Sequence, residues 1–284
     1  MSEVVGRGND VRWAIYSRAF FGLMRRDLRV LSREIAPFLI RVAMNPLLFL
    51  FVFTYVMPHM SGGAKGSMMS PMAGMAGGGG FGTVLLPGLM AVAIMFSGIA
   101  AVALPLATEF GITREIDDRV MCPLPIGAVA IEKIVFSAIQ SIIAAALVFP
   151  LAYYIPSTPV LAHVSSWWFL IAVLVLASLL AGALGLTIGT SVQPKQIGLI
   201  FGVVIMPITF LGCVYYPWAA LKTLKWLQIG VLVNPIVYIS EGLRAGLTPT
   251  TGHMPEVMIL AMLVFFLALL TWVGMRGFAR RVLS

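Results

Sequence analysis

Charge is scarce in this sequence: Asp, Glu, Lys and Arg together make up 11% of its 284 residues, whereas soluble domains run near one quarter. Hydrophobic residues make up 60%, more apolar surface than a soluble fold of this length can hide. Cysteine is scarcer still. Cys122 falls in a polar connection and Cys213 in an apolar run, so neither a disulfide framework nor a four-ligand zinc site can be built, and both are read as free thiols. Nucleotide-binding and hydrolytic signatures are missing too. No GxxxxGK followed by Ser or Thr occurs, which removes the backbone cradle and lysine that hold phosphates. HExxH and GxSxG are absent, and His59, His163 and His253 all fall in predicted outside loops. Since no nucleophile has a base beside it, neither catalysis nor a cofactor is expected of this polypeptide.

The apolar residues are gathered into runs of roughly 20, the length that crosses a hydrocarbon core of about 30 Å as a helix. Six spans are predicted, at 36–57, 83–108, 134–155, 166–191, 197–216 and 256–275. A further stretch, Trp226 to Ile239, has 14 residues and reaches only about 21 Å, so it is read as interfacial or re-entrant. The expected fold is one all-α integral membrane domain over 1–284. It has six transmembrane helices, an N-terminal interfacial helix and a short re-entrant segment before the sixth span. The first apolar run is too long for a signal-peptide core and no small-residue cleavage site follows it, so no cleaved signal is expected.

The net charge of +8 does not point to nucleic acid, because the basic residues lie between the apolar runs and form no compact basic domain. They read as topology signals. Residues 1–41 hold eight Lys and Arg, and Arg114, Arg119, Lys133, Lys195, Arg276, Arg280 and Arg281 fall on the same side; Lys65, Lys222, Lys225 and Arg244 fall on the other. Fifteen of nineteen on one side predicts both termini in the cytosol, and the expected location is a bacterial cytoplasmic membrane. A seventh span would put Arg276, Arg280 and Arg281 outside.

Residues 11–33 are amphipathic. At about 100° per residue, Trp13, Tyr16, Phe20, Leu23, Met24, Leu28 and Leu31 share one side, and Arg18, Arg25, Arg26, Arg29 and Arg33 take the other. This is the pattern of a helix lying in the inner headgroup layer, apolar side in lipid and arginines near anionic phosphates. Within the spans, ionisable groups are nearly absent: Arg41, Glu109 and Glu132 all sit near inner ends. Ion-coupled transporters use charges or backbone breaks at midplane depth, so any pumping is expected to draw on an outside source of energy.

Between the second and third spans lies an inside connection, 109–133, reading TEFGITREIDDRVMCPLPIGAVAIEKI from Thr108 to Ile134. It carries Glu109, Arg114, Glu115, Asp117, Asp118, Arg119, Glu132 and Lys133, with Pro123 and Pro125 placed to stop a short helix. On charge pattern alone it is as readily a solvated run as a docking segment. Further on, MPITFLGCVYYPWAAL continues to NPIVYISEGLRAGL, with Pro207, Gly212, Pro217, Asn234, Pro235, Tyr238 and Arg244 in characteristic spacing. In these two stretches, and in its hydropathy layout, the chain resembles the type-two ABC exporter permeases, which include drug, lipid and nodulation-factor exporters. The Met- and Gly-rich outside loop from Met57 to Gly82 departs from the usual pattern. The resemblance implies a permease paired with a second permease, identical or related, with two separate ATPase subunits beneath that carry ATP and Mg. It further implies that Glu109, Arg114, Glu115, Asp117, Asp118 and Arg119 form a coupling helix in a groove of the ATPase.

Smaller constellations carry two readings each. Ser178, Ala181, Gly182, Gly185 and Gly189 form a small-residue stripe, repeated by Gly198 and Gly202, for packing within the subunit or for a subunit seam. Pro46, Pro105 and Pro207 kink their helices, for gating or for shape. Met57, His59, Met60, Met68, Met69, Met72 and Met75 crowd one outside loop; soft thioethers with an imidazole suit monovalent copper or silver, whereas abundant glycine suits a flexible loop. Tyr215, Tyr216, Trp218, Trp226 and Tyr238 suit the outer headgroup level. Glu241 and Arg244, three apart, either pair with each other or touch cargo. The function classes in competition are an exporter permease for a hydrophobic or amphipathic cargo, a channel or scaffold without an ATPase, and a copper or silver exporter component. An intramembrane enzyme lacks candidate residues.

Overall fold

In lipid every backbone N–H and C=O must find its partner inside the chain, and helices do this for each apolar run separately. The computed structural model describes residues 2–56, 81–110, 125–155, 163–250 and 252–282, and the described elements are all helical. They are α1 (Ser2–Arg33), α2 (Ile35–Leu50) prolonged by a π turn (Phe51–Val56), α3 (Phe81–Thr108), α4 (Ile126–Tyr154) and α5 (Trp167–Ser191). A short α6 (Ile197–Phe210) follows, then a 3-10 turn (Trp218–Thr223), α7 (Lys225–Val233), α8 (Pro235–Leu247) and α9 (Glu256–Val282).

Five helices, α2, α3, α4, α5 and α9, are long and apolar enough to cross a membrane, and the pair α7 and α8, bent by 100°, brings the number to six if counted as one span. The chain is an all-α integral membrane protein. The predicted fifth span is corrected: its helix stops at Phe210 rather than 216, and 14 residues reach about 21 Å. The chain turns there because Gly212 sits against Ile236 and Cys213 takes a left-handed conformation, φ 53°. The predicted inside connection is shortened as well. α4 starts at Ile126, eight residues before the predicted 134, because Pro125 holds extended dihedrals at its N-cap. Glu132 and Lys133 therefore belong to a helix. At the far end α9 runs on to Val282, past the predicted 275.

α3 and α5 form the centre. α3 packs along α5 and α4, α9 packs along α5, and α8 lies against α3. Glycines make these approaches possible. A Cβ on Gly182 would overlap the Ser137 hydroxyl of α4, and one on Gly185 would lie 2.9 Å from the Ile99 carbonyl of α3. The stripe from Ser178 to Gly189 is thus buried within the subunit, while Gly198 and Gly202 have open space around them. A large apolar cluster fills the bundle, and a smaller one, with Val102, Leu106, Val129, Ile134, Leu186 and Phe278, closes the end that the basic residues predict to be the inner one. Tyr16, Ala19, Phe20 and Leu23 of α1 pack on that inner cluster. Part of the face of α1 expected in lipid is thus seated on protein, because the early start of α4 gives it a surface to cover. Phe21, Leu28 and Val30 are left exposed, as are Arg18, Arg25, Arg26, Arg29 and Arg33.

Candidate functional site

Three arrangements follow from this packing, one at the inner end, one in a cleft and one toward the outer side. At the inner end, Lys133 donates to Glu109 at 3.0 Å with both side chains buried. Charges this far from water persist only when paired. Next to Glu109, Phe110 lies edge-on to Phe278 at 5.9 Å and beneath the guanidinium of Arg281 at 5.0 Å. Arg281 donates through Nη1 to the carbonyls of Gly189, Thr190 and Val192 at 3.0, 3.2 and 2.9 Å. These carbonyls end α5 and lack partners within the helix, and a cation there also complements the helix dipole. The inner ends of α3, α5 and α9 are thereby joined where the inside connection begins.

Of the residues assigned to ATPase docking, Glu109 is buried and turned toward Lys133. Arg114, Glu115, Asp117, Asp118, Arg119 and Pro123 lie outside the described residues, as do His59, Met68, Met69, Met72 and Met75. Among the described residues no three His, Cys, Asp or Glu side chains gather in a group fit to hold a metal.

A cleft of about 770 Å³ opens between α1, α2, α3 and α4, with Phe201 of α6 also on its wall. Along α3 its lining runs from Val92 to Glu109, about 25 Å at 1.5 Å per residue. Phe38, Val42, Phe96, Ala100, Leu104 and Phe136 make its walls apolar, and Arg26, Asp27, Glu34, Glu109 and Lys133 gather toward its inner mouth. Arg41, Ser97 and Gln140 stand between.

Toward the outer side, the residues of the second motif converge. Asn234 caps α8 by accepting from the Ile236 N–H at 3.0 Å and donates to the Ile208 carbonyl at 2.6 Å. Pro235 fills the first helical position, where no N–H is needed. Tyr238 donates to the Leu232 carbonyl at 2.9 Å, tying α8 to α7 across the bend. Ser240 donates to the Gly212 carbonyl at 2.7 Å. Pro207 opens the last turn of α6 and Pro217 opens the 3-10 turn. One turn further along α8, Arg244 closes on Glu241, both side chains fully buried. Arg244 also donates to the Cys213 carbonyl at 3.2 Å, and Glu241 accepts from the N–H groups of Trp218 and Met254 at 2.9 and 3.1 Å. One ion pair thus braces the turn after α6, the 3-10 turn and the segment that leads into α9. The motif spacing marked Arg244, but nothing in the sequence marked the roles of Ser240, Trp218 or Met254.

A family model, ABC-2 type transporter, matches residues 18–248, most of the chain. The chain belongs to the ABC-2 type transporter family. An ABC-2 permease is the membrane subunit of an ABC transporter and works with an ABC ATPase. The ABC-2 match runs from Arg18 on α1 to Thr248 at the end of α8, so it takes in the cleft and the outer motif and stops short of α9. No curated protein matches the chain.

Proposed function

We propose that this ABC-2 permease exports a hydrophobic or amphipathic molecule, such as a drug, a lipid or a lipid-linked glycan, across a bacterial cytoplasmic membrane. The observation that carries this reading is the cleft. Its volume falls within the roughly 300–1,000 Å³ of small-molecule sites. Its walls match a lipid tail in polarity, and its charged groups stand toward the side the basic residues assign to the cytosol. Cargo enters from the inner side and leaves past the braced turn between α6 and α8.

Energy comes from ATP and Mg on the separate ATPase, received by Arg114, Glu115, Asp117, Asp118 and Arg119 in the inside connection. Force passes into α3 and α4, whose inner ends are tied by Glu109 and Lys133. A second permease, a copy or a relative, covers apolar residues left exposed on α2 and α6, among them Ile40, Met44, Leu199 and Val203, beside the open Gly198 and Gly202. Co-expression with an ABC ATPase followed by purification and mass spectrometry tests the assembly. A complex with two permeases and two ATPases is expected. A chain that purifies alone and passes solutes without ATP is a channel, and the reading fails.

A further inference from the structure

The cleft holds three polar side chains that the fold itself leaves unused. Arg41 sits six residues after the start of α2, about 9 Å along the helix. Arg41 is exposed on the helix surface, where a cation draws an anion or water to itself. Among the described residues none accepts from Arg41. Ser97 of α3 is 6% exposed, and its hydroxyl has no hydrogen-bond partner. Gln140 of α4 likewise has none among the described residues. All three line the same cleft from three different helices.

We propose that Arg41, Ser97 and Gln140 form a binding site for the phosphate headgroup of a lipid-like molecule. The chemistry is that of donors: a guanidinium fork matches two phosphate oxygens, and a hydroxyl and an amide N–H₂ add further donors. Other charges in the cleft do not serve in its place. Lys133 is held by Glu109, Arg26 and Asp27 are already engaged, and Glu34 lies seven residues before Arg41 at the mouth, about 10 Å away along the chain. The hydrocarbon part of the ligand has Phe38, Val42, Phe96 and Phe136 to lie against. Val30 and Leu104, both exposed, leave the cleft open toward the bilayer. This site deepens the export reading and rests on it for the meaning of the cleft. The binding measurement needs no ATPase, so either can fail while the other stands.

The test is native mass spectrometry of the full chain in detergent, titrated separately with phosphatidylglycerol, with diacylglycerol of the same acyl chains, and with inorganic phosphate. The first phosphatidylglycerol is expected to bind at least tenfold more tightly than diacylglycerol. Arg41→Gln and Ser97→Ala each reduce that preference to about twofold or less, Arg41→Lys, which keeps the charge but loses the two-point fork, lowers it to an intermediate value, and Arg18→Gln on the exposed side of α1 leaves it intact. If Arg41→Gln fails to fold, Ser97→Ala and Arg41→Lys decide. A preference that survives both Arg41→Gln and Ser97→Ala overturns the proposal, as does equal binding of diacylglycerol or displacement of the lipid by equimolar inorganic phosphate. Fluorescent phosphatidylglycerol in vesicles holding the chain and its ATPase then separates the sources. Movement on adding ATP makes the occupant cargo, whereas retention without movement makes it a resident bilayer lipid and excludes phosphatidylglycerol as cargo.

Discussion

Glu241 and Arg244 stand one turn apart on α8 and close on each other with neither side chain reaching solvent. Arg244 Nη2 also reaches the Cys213 carbonyl, and the Glu241 carboxylate accepts from the N–H groups of Trp218 and Met254, so the pair is a cross-brace rather than a cargo contact. Removing one partner leaves an uncompensated buried charge, which costs about 3–5 kcal/mol. Glu241→Leu and Arg244→Leu are each expected to lower the thermal unfolding midpoint sharply in detergent. The double variant is expected to lose less than the two single losses together, because the partners interact directly.

The membrane helices were legible because a bilayer demands about 20 apolar residues per crossing and tolerates few charges, and the runs around Ile94, Ile142, Val175 and Phe265 meet that demand. Glu241 and Arg244 were not legible as buried. Charges in a short segment between apolar runs look like loop, and their three-residue spacing allowed a pair without showing what enclosed it. Lys133 misled for a similar reason. Its partner Glu109 is 24 residues away, so two charges that bury each other read as two charges in water. The cleft had no sequence signature at all, since its lining comes from five helices whose neighbours are set by packing. The stop at Phe210 was hidden because Leu211, Cys213 and Val214 continue the apolar run through a turn.

Glycine substitutions separate close packing from open helix. Gly88 on α3 lies against the backbone of Val214, and a Cβ there would overlap its carbonyl oxygen. Gly88→Ala is expected to destabilise the fold by at least about 1–3 kcal/mol, the range for overpacked cores. Gly22 on α1 has nothing within 4 Å, so Gly22→Ala is expected to stabilise by about 0.5–1 kcal/mol through the greater backbone freedom of glycine in the unfolded chain. Parallel thermal unfolding curves check both signs.

Arg281 holds three carbonyls at the end of α5 and covers Phe110. Hydrogen bonds from a charged donor contribute about 1.5–3 kcal/mol when buried, and Arg281 is only part-buried, so Arg281→Ala is expected to cost about 1–2 kcal/mol. The last turn of α5 then frays. Hydrogen exchange is expected to quicken in residues 187–193 and to stay unchanged in α8.

Reversal of charge at Glu115 and Asp118 bears on the proposed coupling. In the complex with the ATPase, Glu115→Lys with Asp118→Lys is expected to leave ATP hydrolysis running while transport in vesicles falls. Undiminished transport would remove these residues from the coupling path.

The central claim is that this permease carries cargo outward only when a separate ATPase drives it, and ATP-dependent transport in proteoliposomes measures that directly. Vesicles holding the chain with its ATPase, supplied with a panel of labelled lipids and drugs, are expected to move at least one of them when ATP is added on the ATPase side. Vesicles holding the chain alone are expected to move none. ATP hydrolysis by the purified chain unaided, or equal movement with and without the ATPase, would contradict the claim.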